Sequence, residues 1–143
     1  ILAISLPEPF HLSGPYSINN FIIFIAALVL GLFLVTALNL FMHILTMFTL
    51  DEKGSMTTYS VIADIFMGGT VPIPFFPTWL KHIAEFLPVR FIGDFPFRIY
   101  SNSIPLEEGY ILIIGSIIWI IITISLGYLI SRVSLRKAVI QGG

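Results

Sequence analysis

The chain has 143 residues, of which 57% are hydrophobic and only 10% are charged, with a formal net charge of −1. A soluble domain has about 25% charged residues, so this composition excludes an ordinary soluble globule. The near-neutral charge argues against a nucleic-acid partner, and a sequence without Cys excludes zinc-finger, iron–sulfur, thiol-nucleophile and disulfide chemistry.

Two long stretches of the sequence lack charges. No Asp, Glu, Lys or Arg occurs between Glu8 and Asp51 or between Glu108 and Arg132. Apolar runs of 18 or more residues are typical of membrane-spanning helices, because about 20 residues at ~1.5 Å each cross the hydrocarbon core. We therefore predict a single, all-α integral membrane domain: a helical bundle with about three full transmembrane helices and a short external re-entrant or interfacial helical hairpin.

Residues 1–17 are predicted to contain the end of a preceding span and an outer loop. The first six residues are apolar with no basic region before them, so they do not resemble a signal peptide. Prolines and a glycine then break residues 7–17. Because Ile1 already lies within an apolar segment, we expect further residues upstream in a longer protein.

The next elements are a span over residues 18–50, a cytoplasmic turn over 51–54 and a second span over 55–72. The first span is longer than the ~30 Å hydrocarbon core requires, so it tilts or projects beyond the membrane. The second span ends where Gly68 and Gly69 precede a series of prolines, through which a helix cannot continue.

Residues 73–108 are predicted to form an outer re-entrant hairpin and loop. The segment is too apolar for an aqueous loop and too broken to span. Within 76–87, apolar residues fall on one helical face, and the segment either lies in the interface plane or dips into the membrane and returns. The spacing of four residues predicts that Lys81 pairs with Glu85 and Arg90 with Asp94. The candidate hairpin residues are Pro72, Pro74, Pro77, Trp79 and Pro88.

The last span is predicted over residues 109–131, followed by a cytoplasmic tail over 132–143. Arg132, Arg136 and Lys137 act as topology anchors, because basic residues that follow a span favour the cytoplasmic side. The C-terminus is therefore expected in the cytoplasm. Parity then places the 51–54 turn in the cytoplasm and the hairpin outside.

Two polar residues are predicted to lie inside the membrane at similar depth, His43 on the first span and Asp64 on the second. Ionisable residues within a membrane usually face a bundle interior or a wet cavity. We consider His43 and Asp64 a candidate buried polar pair, either as a structural lock or along a translocation route. The alternative is that Asp64 is protonated, or bonds Ser60, Asn39 or another helix.

No enzyme motif occurs in the sequence. There is no GxxxxGK[ST], HExxH or GxSxG pattern, and the His and acidic residues have no metal-ligand spacing on one helix. We therefore predict no catalytic, cofactor-binding or metal residues. Lys81, His82 and Glu85 are better explained as the solvated face of an interfacial helix than as a catalytic cluster.

The run FMGGTVPIPFFPTWLKHIAEFLPVRFIGDFPFRIY at 66–100 resembles the late part of ABC-2 type permeases. In that family a glycine-containing span end leads into a proline-rich aromatic stretch and one more span. Many members of one branch then end in basic residues and Gly-Gly, as RKAVIQGG does at 136–143. The resemblance covers roughly residues 18–143. One departure is Val89, where an aromatic residue is common.

The resemblance implies a permease subunit of an ATP-binding-cassette exporter, located in a prokaryotic plasma membrane. Such subunits have six spans, of which this chain would hold the last three and the end of the third. Two permeases, identical or related, would sit on two cytoplasmic ATPase subunits and move substrate outward by alternating access.

The same resemblance implies a division of labour between subunits. The permease would perform no covalent chemistry and hold no cofactor, since ATP and Mg would bind the ATPases. The family's main coupling helix lies upstream of these residues, so the turn of Asp51, Glu52 and Lys53 would be a lesser cytoplasmic contact.

Two alternatives stay open from the residues alone. One is an autonomous channel or assembly scaffold with no ATPase partner, in which the hairpin forms the oligomer contact or the pore. The other alternative is a membrane-embedded lipid enzyme that uses His82 or Glu85. No residue selects among the drugs, peptides, lipids and polysaccharides that the family transports.

Overall fold

The computed structural model describes residues 17–49 and 51–141, with side chains to residue 133, and these residues form helices without strands. The predicted end of a preceding span and most of the outer loop (1–16), together with the side chains of Arg136 and Lys137, lie outside the described residues. The helices are α1 (Ile18–Thr46), α2 (Glu52–Met67), α3 (Thr78–Phe86), α4 (Asp94–Tyr100) and α5 (Leu106–Gln141), with 3₁₀ turns at Ile73–Phe75 and Pro88–Phe91.

Helix α1 has 29 residues and begins directly after Ser17. The Ser17 hydroxyl oxygen accepts a hydrogen bond from the backbone N–H of Asn20 at 3.2 Å, which satisfies a donor that the first turn leaves unpaired. The helix ends at Thr46 because the next residues fold into a turn, in which the Met47 N–H bonds the Ile44 carbonyl. The observed helix is therefore four residues shorter at its end than residues 18–50.

Helix α2 has 16 residues and begins at Glu52, inside the segment predicted as a turn. Asp51 explains this start, because its Oδ1 accepts a hydrogen bond from the Gly54 N–H at 2.9 Å and caps the helix. Glu52 in the first turn also suits the positive end of the helix dipole. The helix stops at Gly68, which adopts the left-handed conformation with φ of 85°.

Two helices are long and apolar enough to cross a membrane, namely Ile18–Thr46 and residues Leu106–Val133 of α5. The third full span predicted from the sequence is not confirmed. Helix α2 is about 24 Å long at 1.5 Å per residue, which is less than the ~30 Å hydrocarbon core.

Helices α1 and α5 pack along each other through small residues. On α1 the buried face includes Ile23, Ala27, Gly31, Leu34 and Leu38, which recur every three or four residues. On α5 the buried positions with small or short side chains are Gly109, Ser116, Thr123 and Gly127. Small side chains let two helix backbones approach closely, which is how helices associate where lipid removes the hydrophobic driving force.

The segment between α2 and α5 folds back against these helices. A Cβ atom built on Gly31 would lie 3.5 Å from both Ile92 Cα and the Phe91 carbonyl oxygen, so the backbone after the second 3₁₀ turn touches α1. Gly31 is about 20 Å along α1 from its first residue. The segment therefore packs against the middle of α1 before it returns.

The returning limb of the hairpin is tied to the start of α1. The buried Asn20 side chain donates hydrogen bonds to the Ile99 carbonyl at 3.2 Å and to Asn102 Oδ1 at 3.1 Å. Phe91, Phe95 and Ile99 point into the same core as the α1 face. The hairpin is thus held by polar bonds at its outer end and by apolar packing along its length.

Candidate functional site

Helix α2 carries a line of polar side chains on one face. Lys53, Thr57, Ser60 and Asp64 are spaced by four, three and four residues, and all four are exposed; we call them the α2 polar stripe. The Thr57 hydroxyl donates to the Lys53 carbonyl at 2.8 Å, and the Ser60 hydroxyl donates to the Thr57 carbonyl at 2.8 Å. The hydroxyl oxygens stay available as acceptors on the outer face of the helix.

An adjacent face of α2 holds it to the rest of the molecule. Tyr59, Ala63, Phe66 and Met67 pack against the core but are only partly buried. No residue of α2 is fully buried. The apolar side chains that contact the core lie on a line of the helix next to the polar stripe. The stripe itself therefore faces outward.

The structure does not bring His43 and Asp64 together. His43 Nδ1 lies 3.4 Å from Glu52 Oε1, and Asp64 Oδ2 accepts a hydrogen bond from the Thr70 hydroxyl at 2.5 Å. The two side chains lie apart because of where the helices end and begin. His43 is three residues before the end of α1, whereas Asp64 lies about 18 Å along α2 from its first residue. The two residues are thus at different depths.

Asp64 borders a cavity of about 600 Å³ between the end of α2 and α4. We call it the α2–α4 cavity; its lining includes Asp64, Gly68, Gly69, Asp94, Phe97 and Arg98. Arg98 Nη1 and Asp94 Oδ2 form an ion pair at 3.3 Å across its wall. Asp64 also borders a second cavity, which is lined by Ser60, Val61, Ile65, Met67 and Thr70. The Asp64 carboxylate thus lies at the end of the α2 polar stripe and borders both cavities.

The glycines after α2 leave the space that the Asp64 carboxylate occupies. A side chain on Gly69 would collide with Asp64 Oδ1, and the left-handed turn at Gly68 reverses the chain there. On the facing side, a Cβ atom on Gly93 would lie 2.5 Å from Met67 Cγ. The three glycines therefore allow the hairpin to approach the end of α2 closely.

The ion pairs of the hairpin differ from those predicted. Asp94 pairs with Arg98 rather than Arg90, because Gly93 separates the 3₁₀ turn that holds Arg90 from α4, and only Arg98 follows Asp94 on the same helix. Glu85 Oε2 lies 3.9 Å from His82 Nδ1, and no ion pair with Lys81 forms in this described segment. The His82 side chain is 75% exposed, in keeping with a solvated face.

Arg90 is buried in the 3₁₀ turn between α3 and α4. Its Nη1 donates to the Glu85 carbonyl at 2.9 Å, whereas its Nε has no hydrogen-bond partner. Arg90 therefore holds the turn between α3 and α4 through a backbone carbonyl.

The other candidate residues lie apart from this cavity or on its edge. Pro72 borders it, Pro77 precedes α3, and Pro88 begins the second 3₁₀ turn. Trp79 on α3 and Pro74 in the first 3₁₀ turn are exposed.

The residues of the turn after α1 have separate contacts: Asp51 caps α2, Glu52 contacts His43 and Lys53 begins the polar stripe. The Arg132 guanidinium stacks over the Tyr128 ring at 4.5 Å. Among the described residues, no three His, Asp or Glu side chains lie close enough to hold a metal ion.

Two features of the structure were not predicted from the sequence, the α2 polar stripe and the Asn20 anchor. The spacing of Lys53, Thr57, Ser60 and Asp64 was a usable signal, because it follows the helical repeat once α2 begins at Glu52. The bond from Asn20 to Ile99 had no such signal, since 79 residues separate the two positions.

Comparison with known families identifies the class of protein. A family model described as ABC-2 family transporter protein matches residues 15–142, which is nearly the whole chain. No curated protein and no solved structure gives a significant match. The resemblance seen in residues 66–100 is confirmed, and the chain belongs to the ABC-2 family of membrane transporters.

Proposed function

We propose that this chain is the permease subunit of an ATP-binding-cassette exporter, and that α2 lines its translocation route. The observation that carries the proposal is the exposed polar stripe of Lys53, Thr57, Ser60 and Asp64. Charged side chains within membrane segments usually face the bundle interior or a water-filled cavity. Asp64 therefore faces water or a partner in the assembled transporter.

The wider surface supports this division. The outer faces of α1 and α5 expose large apolar side chains such as Leu32, Phe33, Ile111 and Ile121, which suit contact with lipid or other helices. The α2 polar stripe is the longest polar line that the described membrane helices expose. A route for a polar or charged substrate needs such a surface.

The energy source is proposed to be a pair of separate ATPase subunits, which would bind ATP and Mg. The permease would have a cytoplasmic C-terminus, with Arg132, Arg136 and Lys137 at the membrane surface, in a prokaryotic plasma membrane. Alternating access requires that the substrate make different contacts in the inward and outward states. Helix α2 suits this role because it is held only by partly buried side chains.

A thiol-accessibility experiment tests the lining role of α2. The described chain has no Cys, so single cysteines can be placed in a cysteine-free version of the full protein. We expect Ser60→Cys to react with a membrane-impermeant, charged methanethiosulfonate, because the stripe contacts water. Ile121→Cys, on the apolar face of α5, is the matched control and should stay unmodified. Equal reaction of both variants, or of neither, would remove the lining role.

The ATPase partnership has its own test. The complete protein, tagged at its C-terminus and extracted in mild detergent from its native cell, should co-purify with a stoichiometric soluble ATPase that hydrolyses ATP. A clean homo-oligomer with no ATPase, under conditions that preserve known transporters, would favour the autonomous channel or scaffold instead.

A further inference from the structure

We propose that the α2–α4 cavity binds an organic cation, with the Asp64 carboxylate as its counter-charge. The inference rests on the proposed function and names the substrate class of that route: an apolar amine or quaternary cation. Three features of the cavity support it, namely its uncompensated charge, the direction of α2 and its aromatic lining.

The charged side chains around the cavity leave one negative charge without a cationic partner. Arg98 compensates Asp94 through the ion pair at 3.3 Å, and the Asp94 side chain is only 8% exposed. Asp64, in contrast, is exposed and has the Thr70 hydroxyl as its hydrogen-bond donor. No Lys, Arg or His of the described chain forms an ion pair with it. A cation entering the cavity would therefore meet an available carboxylate.

The direction of α2 adds to this charge. The helix ends at Met67 and Gly68, both of which line the cavity. The C-terminal end of a helix carries a partial negative charge, which stabilises a nearby cation and repels an anion. The Asp64 carboxylate and the C-terminal end of α2 therefore both favour a cation in the cavity.

Aromatic rings and glycines shape the rest of the cavity. Phe97 and Tyr100 both line it, and Phe97 is 64% exposed. Organic cations bind over the faces of such rings. Gly68, Gly69 and Gly93 leave space where larger side chains would fill it. The cavity volume of about 600 Å³ lies within the range of sites that hold drug-sized ligands.

A pair of probes of equal size and opposite charge tests the proposal. Tetraphenylphosphonium and tetraphenylborate have nearly the same shape and opposite charge, and parallel dialysis against protein-free detergent subtracts the different partition of the two ions into the micelles. We expect the purified full-length permease to bind the phosphonium in equilibrium dialysis and to bind the borate far more weakly. Asp64→Asn should weaken phosphonium binding by about tenfold or more, because it removes the charge and keeps the shape.

Three further variants make the outcome specific. Glu107→Gln removes an exposed carboxylate at the start of α5 and should leave phosphonium binding unchanged. Asp64→Glu keeps the charge and should retain most of the binding. Phe97→Ala should weaken binding several-fold through loss of the ring. Equal binding of the two probes, or undiminished phosphonium binding by Asp64→Asn with an unchanged melting temperature, would overturn the proposal.

The experiment separates this proposal from the proposed function. Binding is measured on the permease alone, whereas the ATPase partnership is measured by co-purification. A permease that co-purifies with its ATPase but ignores the charge of the probe would retain the exporter function and lose the organic-cation site. Charge-selective binding by a protein without an ATPase partner would retain the site and lose the exporter function.

Discussion

Helices α1 and α5 differ from α2 in how they are held. The first two share a long interface in which Gly109 and Gly127 of α5 lie against side chains of α1, and buried side chains recur along α1. Helix α2 has no fully buried residue and meets the others through partly buried side chains. Tight packing makes a rigid unit, whereas a helix with few buried contacts can change its packing at lower cost.

Under the proposed alternating-access function, this difference would divide the chain into a scaffold and a moving part. The hairpin belongs to the scaffold, because its backbone contacts Gly31 and its outer end bonds Asn20. The α2 polar stripe lies on the loosely held helix. A transporter that alternates between two states requires such a contrast, and substitutions in each region should therefore have different consequences.

The largest loss of stability is expected for Gly31→Leu. Its side chain would enter the backbone of Phe91 and Ile92, and overpacking of this kind costs about 3 kcal/mol. The thermal midpoint of the detergent-purified protein should fall markedly. Gly31→Ala is the matched control, because its Cβ atom would make an ordinary contact at 3.5 Å. If Leu is tolerated as well as Ala, the hairpin does not pack against α1 in this way.

A smaller loss is expected for Asn20→Ala. The variant removes the two hydrogen bonds that the Asn20 amide donates to the Ile99 carbonyl and to Asn102 Oδ1, which costs about 2 kcal/mol, while the Ile99 carbonyl keeps its bond from the Asn102 N–H. Hydrogen exchange should accelerate in the returning limb, around residues 98–103. Asn19→Ala, at an exposed position of the same turn, should have little effect. Unchanged exchange in Asn20→Ala would place the hairpin anchor elsewhere.

The smallest effect is expected for Asp51→Ala, and it should be confined to α2. Loss of the cap on the Gly54 N–H costs about 1 kcal/mol. Amide exchange should rise in the first turn of α2 while the amides of α1 and α5 keep their protection. Asp51→Asn retains a capping oxygen and should behave like the native protein. Loss of protection throughout the molecule would contradict the independence of α2 from the scaffold.

Much of the fold follows from local patterns. The uncharged stretch before Asp51 predicts α1, and the stretch after Glu108 predicts α5, because length and hydropathy alone decide whether a helix can span. The prolines from Pro72 onward predict a broken segment, because proline removes a helical hydrogen bond. The family resemblance likewise follows from a contiguous run of residues.

The partners of the polar side chains do not follow from such patterns. The four-residue spacing predicted an ion pair between Arg90 and Asp94. Gly93 breaks the helix between them, and Asp94 forms its ion pair with Arg98 instead. Depth counting favoured His43 with Asp64, but α1 ends early and Glu52 begins the next helix beside His43. A shift of a few residues at a helix end changes which side chains meet.

The sequence alone therefore determined the membrane class, the two long spans, the proline-broken segment between them and the family. These are properties of consecutive residues, since hydropathy, helix length and proline breaks act locally. Only the tertiary structure decided the depth of the hairpin along α1, the anchor from Asn20 to Ile99, and the cavity that joins Asp64 to α4. Each of these depends on where helices distant in sequence approach each other, which the packing of Gly31 and the other small residues sets.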